Sequence, residues 1–215
     1  MSSSSRFCID SDALVNLLAL GCLDDALGCI GCVPSNCFRL PSIVAQLERA
    51  RWVGERWPKS DRAAMANAAR ALPVLPQPED IAIQQGLNDR SGIDEGEAYI
   101  LARALEDPQL LILTGDGRMI RALHQEPFIV DLDQLRGRII LFPQVIGALV
   151  NHLSLTEVEY RWRQASPEAT KQKQKSLSIM FGSASPTQTE EFWSGYRFQI
   201  SHVTDVCGAD GLCSL

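Results

Sequence analysis

The chain has 215 residues, of which 46% are hydrophobic and 21% are charged, so it is long and apolar enough to bury a substantial core. No apolar run reaches transmembrane length, and the Ser-rich start lacks the basic flank and apolar region of a secretory signal. We therefore expect a cytoplasmic protein with no membrane partner. The formal net charge of -6 argues against a global basic field for nucleic acid, although an acidic metal site would lower the charge locally.

The first informative stretch is an apolar run at residues 7–9 that ends at Asp10, directly before a helical apolar pattern that includes Leu14. This order predicts a buried strand that leads into a helix. In open α/β sheets, ligands bind outside the carboxyl ends of the strands, so Asp10 is expected to face a cleft. The alternative is that Asp10 and Asp12 are only turn and cap residues.

A second strand is predicted at residues 38–40, followed by a helix that Ser42 can cap. Leu47 lies on the apolar side of this helix, and Glu48 is next to it. A single glutamate on a helix is usually solvated, so Glu48 means little by itself.

Residues 49–70 are rich in arginine and tryptophan. Arginine binds phosphates and tryptophan stacks on bases, so this segment, with Arg49 and Arg56, is a candidate nucleic-acid rim. A helical hairpin with solvated arginines and core tryptophans is the equally open alternative.

The third informative stretch has Asp94 three residues before Glu97, which is a capping-box-like start to a helix ending near Leu105. Capping and the helix dipole can explain acidic residues at this position. They do not explain why Glu97 is flanked by small and apolar residues that belong in a packed helix.

Residues 110–113 form a continuous apolar run, which is typical of a buried parallel strand. The run ends at Thr114, and Asp116 then repeats the placement of Asp10 just past a buried strand. Residues 128–130 predict a further strand of the same kind.

Strands alternating with helices predict an α/β fold, with a Rossmann-like, mostly parallel sheet flanked by helices. The last strand is predicted at residues 139–142. Beyond it, two amphipathic helices are predicted at about residues 143–153 and 155–164. We therefore divide the chain into a domain at residues 1–142 and a mainly helical extension at 143–215, whose aromatic residues near its end need burial.

Seven cysteines are an odd number for a disulfide framework, and the lack of a secretory signal favours free thiols. Four of them are close together in sequence: Cys22, Cys29, Cys32 and Cys37. A zinc site there is the less favoured reading, because no histidine lies near and the spacing lacks two tight pairs.

Four acidic residues, Asp10, Glu48, Glu97 and Asp116, occur at strand ends and on helices. If they converge on one cleft, they need divalent cations, and oxygen ligands suit Mg²⁺ or Mn²⁺. Such a site can activate water for in-line cleavage of a phosphodiester.

The order and wording of these motifs resemble the PIN-domain nucleases. The motifs are Ile9-Asp10, Leu47-Glu48, Glu97-Ala98-Tyr99-Ile100-Leu101-Ala102 and Thr114-Gly115-Asp116. The resemblance covers about residues 6–142. It implies a PIN-like sheet and a Mg²⁺- or Mn²⁺-dependent ribonuclease that acts on RNA. Many members are toxins of toxin–antitoxin pairs, so an antitoxin or other regulatory protein and a homodimer are the protein partners to consider.

The resemblance also implies roles for single residues. Asp10, Glu97 and Asp116 would hold the metal, and Glu48 would position or deprotonate the attacking water. Apart from the resemblance, Thr114 is a candidate substrate contact, and the side chains of Arg118, Arg49 and Arg56 are expected to contact phosphates.

Two other functions stay open. The stretch from Asp10 to Asp12 and the Gly-Asp-Gly around Asp116 also resemble haloacid-dehalogenase-like phosphatases, in which Asp10 would be the nucleophile. That family needs a lysine shortly before the late acidic residues, and this chain has none there. The second alternative is a catalytically silent PIN-like scaffold that binds RNA or a protein.

Overall fold

The structure is a computed structural model that describes residues 6–55, 57, 59–124, 132–165, 190, 192–194 and 196. Strands and helices alternate through most of this range. The strands are β1 (Arg6–Ile9), β2 (Cys37–Arg39), β3 (Leu110–Thr114) and β4 (Ile139–Leu141). The helices are α1 (Ser11–Ala19), α2 (Leu23–Cys29), α3 (Ile43–Arg49), α4 (Arg51–Gly54), α5 (Lys59–Ala71), α6 (Ile81–Asn88), α7 (Glu95–Glu106), α8 (Gly117–His124), α9 (Phe142–Leu153) and α10 (Leu155–Gln164).

The four strands form one parallel sheet in the order β2-β1-β3-β4. The register pairs Ile9 of β1 with Arg39 of β2 and with Leu113 of β3. The backbone N–H of Asp10 continues the pairing by donating to the Leu113 carbonyl at 2.8 Å. As a result, the carboxyl ends of β1 and β3 lie side by side at one edge of the sheet.

Alternate residues of the strands enter two different cores, as the two-residue period of a strand requires. Phe7 and Ile9 belong to one core, which is packed by helices that include α1, α2, α5 and α9. Cys8 and Ile112 belong to the other, which is packed by α7 and α8. The fold is therefore α/β, with a four-stranded parallel sheet covered by helices on both faces, as expected.

Helices α9 and α10 join the first of these cores. Phe142, Ile146 and Leu149 of α9 are fully or almost fully buried in it. On α10, Arg161 donates to the Asp25 carboxylate at 2.8 Å and to the Gly21 carbonyl at 3.2 Å, which ties α10 to the α1–α2 turn. Helices α9 and α10 therefore pack against the same core as the elements before residue 142. The division of the chain at residue 142 stays a prediction.

Three aromatic residues near the end of the chain also pack onto this core. Phe192 is only 2% exposed, and its ring meets Trp193 edge-on at a centroid distance of 4.9 Å. Trp193 in turn meets Tyr196 at 5.3 Å. Phe192 is therefore buried as expected, whereas Trp193 and Tyr196 are partly buried against the same core.

The element boundaries agree closely with the sequence patterns. The predicted last helix at residues 155–164 coincides with α10, and α9 begins one residue earlier than predicted because β4 ends at Leu141. The strand predicted at residues 128–130 lies outside the described residues. Over the part of the chain that is described, no helix is long and apolar enough to cross a membrane.

Candidate active site

The ends of β1 and β3 place Asp10 and Asp116 at the same edge of the sheet. Asp10 is the N-cap of α1, and its Oδ1 accepts a hydrogen bond from the Ser11 backbone at 2.6 Å. Asp10, rather than Ser11 or Asp12, therefore caps this helix. The positive end of the helix dipole favours the ionised form of a carboxylate at this position.

Thr114 connects the two acidic residues. Its hydroxyl donates to Asp10 Oδ2 at 3.3 Å and accepts from the Asp116 backbone N–H at 3.0 Å. Thr114 is buried and is not among the described residues that line the cavity at this edge. It was predicted to contact substrate, but the structure gives it a supporting position behind the carboxylates.

Glu97 reaches the same edge from the first turn of α7. A capping box fixes it: the Glu97 N–H donates to Asp94 Oδ1 at 2.9 Å, and the Asp94 N–H donates to Glu97 Oε2 at 2.8 Å. Glu97 is only 3% exposed. The predicted capping box is confirmed, and so is the expectation that Glu97 lies in a packed environment.

These three residues line one cavity of about 670 Å³. Its wall includes six acidic residues: Asp10, Asp12, Asp94, Glu95, Glu97 and Asp116. Aromatic side chains are supplied by Trp52 and by Tyr99, whose hydroxyl donates to the Leu75 carbonyl at 3.1 Å. Arg118 is the one cationic side chain among the described lining residues.

Burial makes ionisation costly for two of the carboxyl groups. It raises the pKa of Asp10 to about 7, and the nearby charge of Asp12 adds to the effect. Burial also raises the pKa of Glu97 to about 8, with further contributions from Asp94 and Asp116. Both carboxyl groups would therefore release a proton readily if a cation approached.

Asp116 differs from these two because it has a cationic neighbour. Burial acts to raise its pKa, but hydrogen bonds and charge from Arg118 outweigh this and hold the pKa below its ordinary value. Arg118 Nη2 donates to Asp116 Oδ2 at 2.5 Å, and the Arg118 backbone N–H donates to Oδ1 at 2.6 Å.

The structure does not bring Glu48 to this cavity. Its carboxylate pairs with Arg70 instead, on the exposed surface between α3 and α5. Leu47 is buried, and its two neighbours on α3 point about 100° to either side of it. Gln46 is the neighbour that lines the cavity, with Ser42 one turn before it.

The helical phase of α3 places Gln46, and not Glu48, at the cavity. A carboxylate motif in the sequence favours Glu48, but Ser42 and Gln46, four residues apart, form the polar face that turns towards the strand ends. The spacing of Ile43 and Leu47 already marks which side of α3 is buried. An amide at position 46 binds through hydrogen bonds but cannot act as a general base at neutral pH.

The predicted arginine rim is also only partly at the site. Arg49 is exposed at the last turn of α3 and does not line the cavity, whereas Arg56 lies outside the described residues. Trp57 is 4% exposed and belongs to the core, but Trp52 lines the cavity. The segment therefore has features of both alternatives: it packs as a helical hairpin, and it places one aromatic side chain at the site.

The donor chemistry of the cavity fits Mg²⁺ or Mn²⁺, because Asp10, Glu97 and Asp116 offer only carboxylate oxygens and, among the described residues, the first two are buried with no ion pair to a cationic side chain. In the described residues, however, no group of three or more His, Cys, Asp or Glu side chains is arranged so that it could hold a metal ion. Both oxygens of Asp116 are engaged by Arg118, and one oxygen of Glu97 is engaged by the capping box. The residue types fit the ion, and these side chains would have to turn to bind it.

Five cysteines lie in the described residues, and all are free thiols: Cys8, Cys22, Cys29, Cys32 and Cys37. Cys22 donates to the Leu20 carbonyl and Cys32 to the Val33 carbonyl, each at 3.3 Å. These two sulfurs therefore serve local packing and turn contacts. Cys207 and Cys213 lie outside the described residues.

Comparison with known proteins finds no matching family model, no matching curated protein and no matching solved structure. The function of this chain is therefore inferred from the site itself, with the motif resemblance as support.

Proposed function

We propose that this chain is a PIN-like, divalent-metal-dependent ribonuclease, with Asp10, Glu97 and Asp116 at its centre. The observation that carries the proposal is that these three carboxylates, which are far apart in sequence, line one cavity at the carboxyl edge of a parallel sheet. Ligand sites of α/β folds form at such edges.

A bound Mg²⁺ or Mn²⁺ would supply an activated water and would neutralise charge on a phosphodiester. Asp10 is held for this role by the Ser11 backbone and Thr114, and Glu97 is held by the capping box. This support places both carboxyl groups on the sheet and its covering helices, and the Glu97 side chain would turn from its capping contact when an ion binds.

The charge of the cavity explains why a cation is needed before RNA can bind. Even with Asp10 and Glu97 partly protonated, the four other acidic residues outnumber the one arginine among the described lining residues, and this negative surface repels a phosphate backbone. Trp52 and Tyr99 offer aromatic surface for bases, and Arg118 offers a guanidinium for a phosphate. Without a divalent ion, we expect weak RNA binding.

Several further properties stay predictions from the sequence. They are a cytoplasmic location, a regulatory protein partner such as an antitoxin, and a homodimer.

A cleavage assay tests the proposal. Purified protein with Mn²⁺ is incubated with labelled single-stranded RNA, and the same protein is assayed on a phosphomonoester. Asp10→Asn keeps the size and hydrogen bonding of the side chain but removes one negative charge from the site. We expect RNA cleavage to fall by a factor of about 100 or more, or about 3 kcal/mol in transition-state stabilisation.

The competing functions predict other results. A phosphatase would turn over the phosphomonoester and become phosphorylated at Asp10; among the described lining residues, however, there is no lysine for that chemistry. A silent scaffold would bind RNA without cutting it. Cleavage that persists undiminished in Asp10→Asn would show a contaminating nuclease, and the proposal would then be rejected.

A further inference from the structure

Arg118 occupies both oxygens of Asp116 at once. Its Nε lies 3.2 Å from Oδ1 and 3.1 Å from Oδ2, and its Nη2 donates to Oδ2 at 2.5 Å. The backbone N–H of the same residue donates to Oδ1 at 2.6 Å. This is a forked, charge-assisted contact of the kind that arginine makes with carboxylates and with phosphates alike.

A divalent ion at the proposed site would need the same oxygens. Magnesium and manganese bind carboxylates through the lone pairs that the guanidinium N–H groups occupy here. The divalent ion and the guanidinium therefore compete for the Asp116 carboxylate, and only one of them can bind both of its oxygens at a time.

The position of Arg118 allows it to leave. Its side chain is 69% exposed, whereas the Asp116 side chain is 19% exposed, so the arginine approaches from the solvent side. An ion pair with one solvated partner contributes only modestly to stability, so a divalent ion with higher charge can displace the guanidinium from Asp116. Once released, the guanidinium stays at the rim of a cavity in which it is the one cation among the described lining residues.

We propose that Arg118 is an exchangeable cation, which holds Asp116 when no metal is bound and turns to a backbone phosphate of RNA when a divalent ion takes Asp116. This inference rests on the proposed function, because it assumes that Asp116 is a metal ligand. It makes metal binding and phosphodiester binding cooperative, since the ion frees the group that the phosphate needs, and the coupling is reciprocal.

Mn²⁺ titration by calorimetry tests the exchange without any turnover. The proteins compared are the full-length wild type, Arg118→Gln and Arg121→Gln. Arg121 is the matched control because it is exposed on the same helix, α8, and does not line the cavity. We expect Arg118→Gln to bind Mn²⁺ about tenfold more tightly than wild type, and Arg121→Gln to bind it as wild type does.

A second measurement follows the released arginine. Binding of a single-stranded phosphorothioate oligonucleotide is measured with and without Mn²⁺. Wild type and Arg121→Gln should gain affinity when Mn²⁺ is present, and Arg118→Gln should lose most of this gain. Arg118→Lys keeps the charge but cannot make the forked contact. Its gain in affinity on addition of Mn²⁺ should lie between those of wild type and Arg118→Gln.

The outcomes separate this inference from the function on which it rests. If wild type binds Mn²⁺ and Arg118→Gln binds it equally or more weakly, the proposed exchange of Arg118 is wrong, but the proposed metal site is not contradicted. An equal gain in Arg121→Gln would show a general charge effect, which also contradicts the exchange. If neither wild type nor any variant binds Mn²⁺, the proposed function and the exchange both fail.

Discussion

Asp10 and Glu97 are the residues on which the site depends, because each carboxyl group is buried and, in the part of the chain that the structure describes, neither forms an ion pair with a cationic side chain. Asp10 is 8% exposed, and its partners are hydrogen-bond donors from Ser11 and Thr114. Glu97 receives a backbone donor from Asp94. Hydrogen bonds of this kind only partly compensate for the loss of water, which is why the pKa values of both carboxyl groups are raised.

The raised pKa values predict how stability depends on pH. Between the ordinary carboxyl pKa of about 4 and the folded values, the native protein keeps protons that the unfolded chain has lost. Stability without metal should therefore fall as pH rises towards the folded pKa of about 7 for Asp10 and about 8 for Glu97. The slope is at most about 1.4 kcal/mol per pH unit for each carboxyl group.

Urea unfolding in the presence of a chelator, from about pH 5 to about pH 8, measures this dependence. Asp10→Asn lacks one of the two titrating groups, so its stability should fall less steeply. Stability that stays constant or rises in wild type over this range would contradict the burial of these carboxyl groups.

Gln46 and Glu48 provide a direct comparison of two neighbouring polar residues on α3. Glu48 pairs with Arg70 outside the cavity, and Gln46 lines it. Glu48→Gln should leave RNA cleavage within about twofold of wild type and cost less than about 1 kcal/mol of stability, as loss of an exposed ion pair does. Gln46→Ala removes an amide from the site, so cleavage should fall by about tenfold or more.

The cleavage rates of the two variants show which residue contributes to cleavage. Thermal unfolding of both variants is the control for folding. If Glu48→Gln loses most of its RNA cleavage and Gln46→Ala loses none, Glu48 has the catalytic role predicted from the sequence. Gln46 would then not be the residue of α3 that faces the site.

At the scale of secondary structure, the start of α7 shows how one element performs two tasks. Asp94 and Glu97 complete a capping box, and both also line the cavity. Stability of the helix terminus and placement of a candidate ligand therefore depend on the same two side chains. A variant at Asp94 that loses activity would report on both tasks at once, and the same holds for Asp10, which caps α1, so the stability of each variant has to be measured beside its activity.

Helix α9 gives a prediction about the end of the chain. A Cβ at Gly147 would lie 2.8 Å from Cε2 of Tyr196, which is too close for either atom to stay in place. Alanine is otherwise better than glycine in a helix interior by about 1 kcal/mol. Gly147→Ala should therefore destabilise wild type, but should stabilise Tyr196→Ala by about 1 kcal/mol.

Chemical unfolding of the four proteins in this double-mutant cycle measures the effect. If Gly147→Ala has the same effect in both backgrounds, Tyr196 does not pack against α9, and the docking of the final aromatic residues would have to be revised.

For the whole molecule, the sheet and the acidic edge could be predicted because strand ends are visible in sequence. The apolar runs that precede Asp10 and Asp116 locate both residues, and parallel strands bring their carboxyl ends together. The capping pattern locates Glu97 in the same way. These three assignments depend on local signals that the tertiary structure does not override.

Other features depend on how a helix is rotated about its axis and on which side chains touch. Local sequence signals determine neither. Glu48 and Gln46 differ by about 200° around α3, and only packing decides which of them faces the strand ends. The contact between Arg118 and Asp116 requires side-chain geometry that no motif encodes. The supporting position of Thr114 follows from the register of β1 and β3, which appears only when the strands are paired.

The measurement that tests the central claim most directly is anomalous diffraction at the manganese edge from crystals soaked in Mn²⁺. We predict a peak in the cavity within coordination distance of Asp10, Glu97 and Asp116, with Arg118 turned away from the Asp116 carboxylate. The absence of a peak in this cavity at saturating Mn²⁺, or a peak held by other residues, would contradict the proposal that these three carboxylates form a metal site.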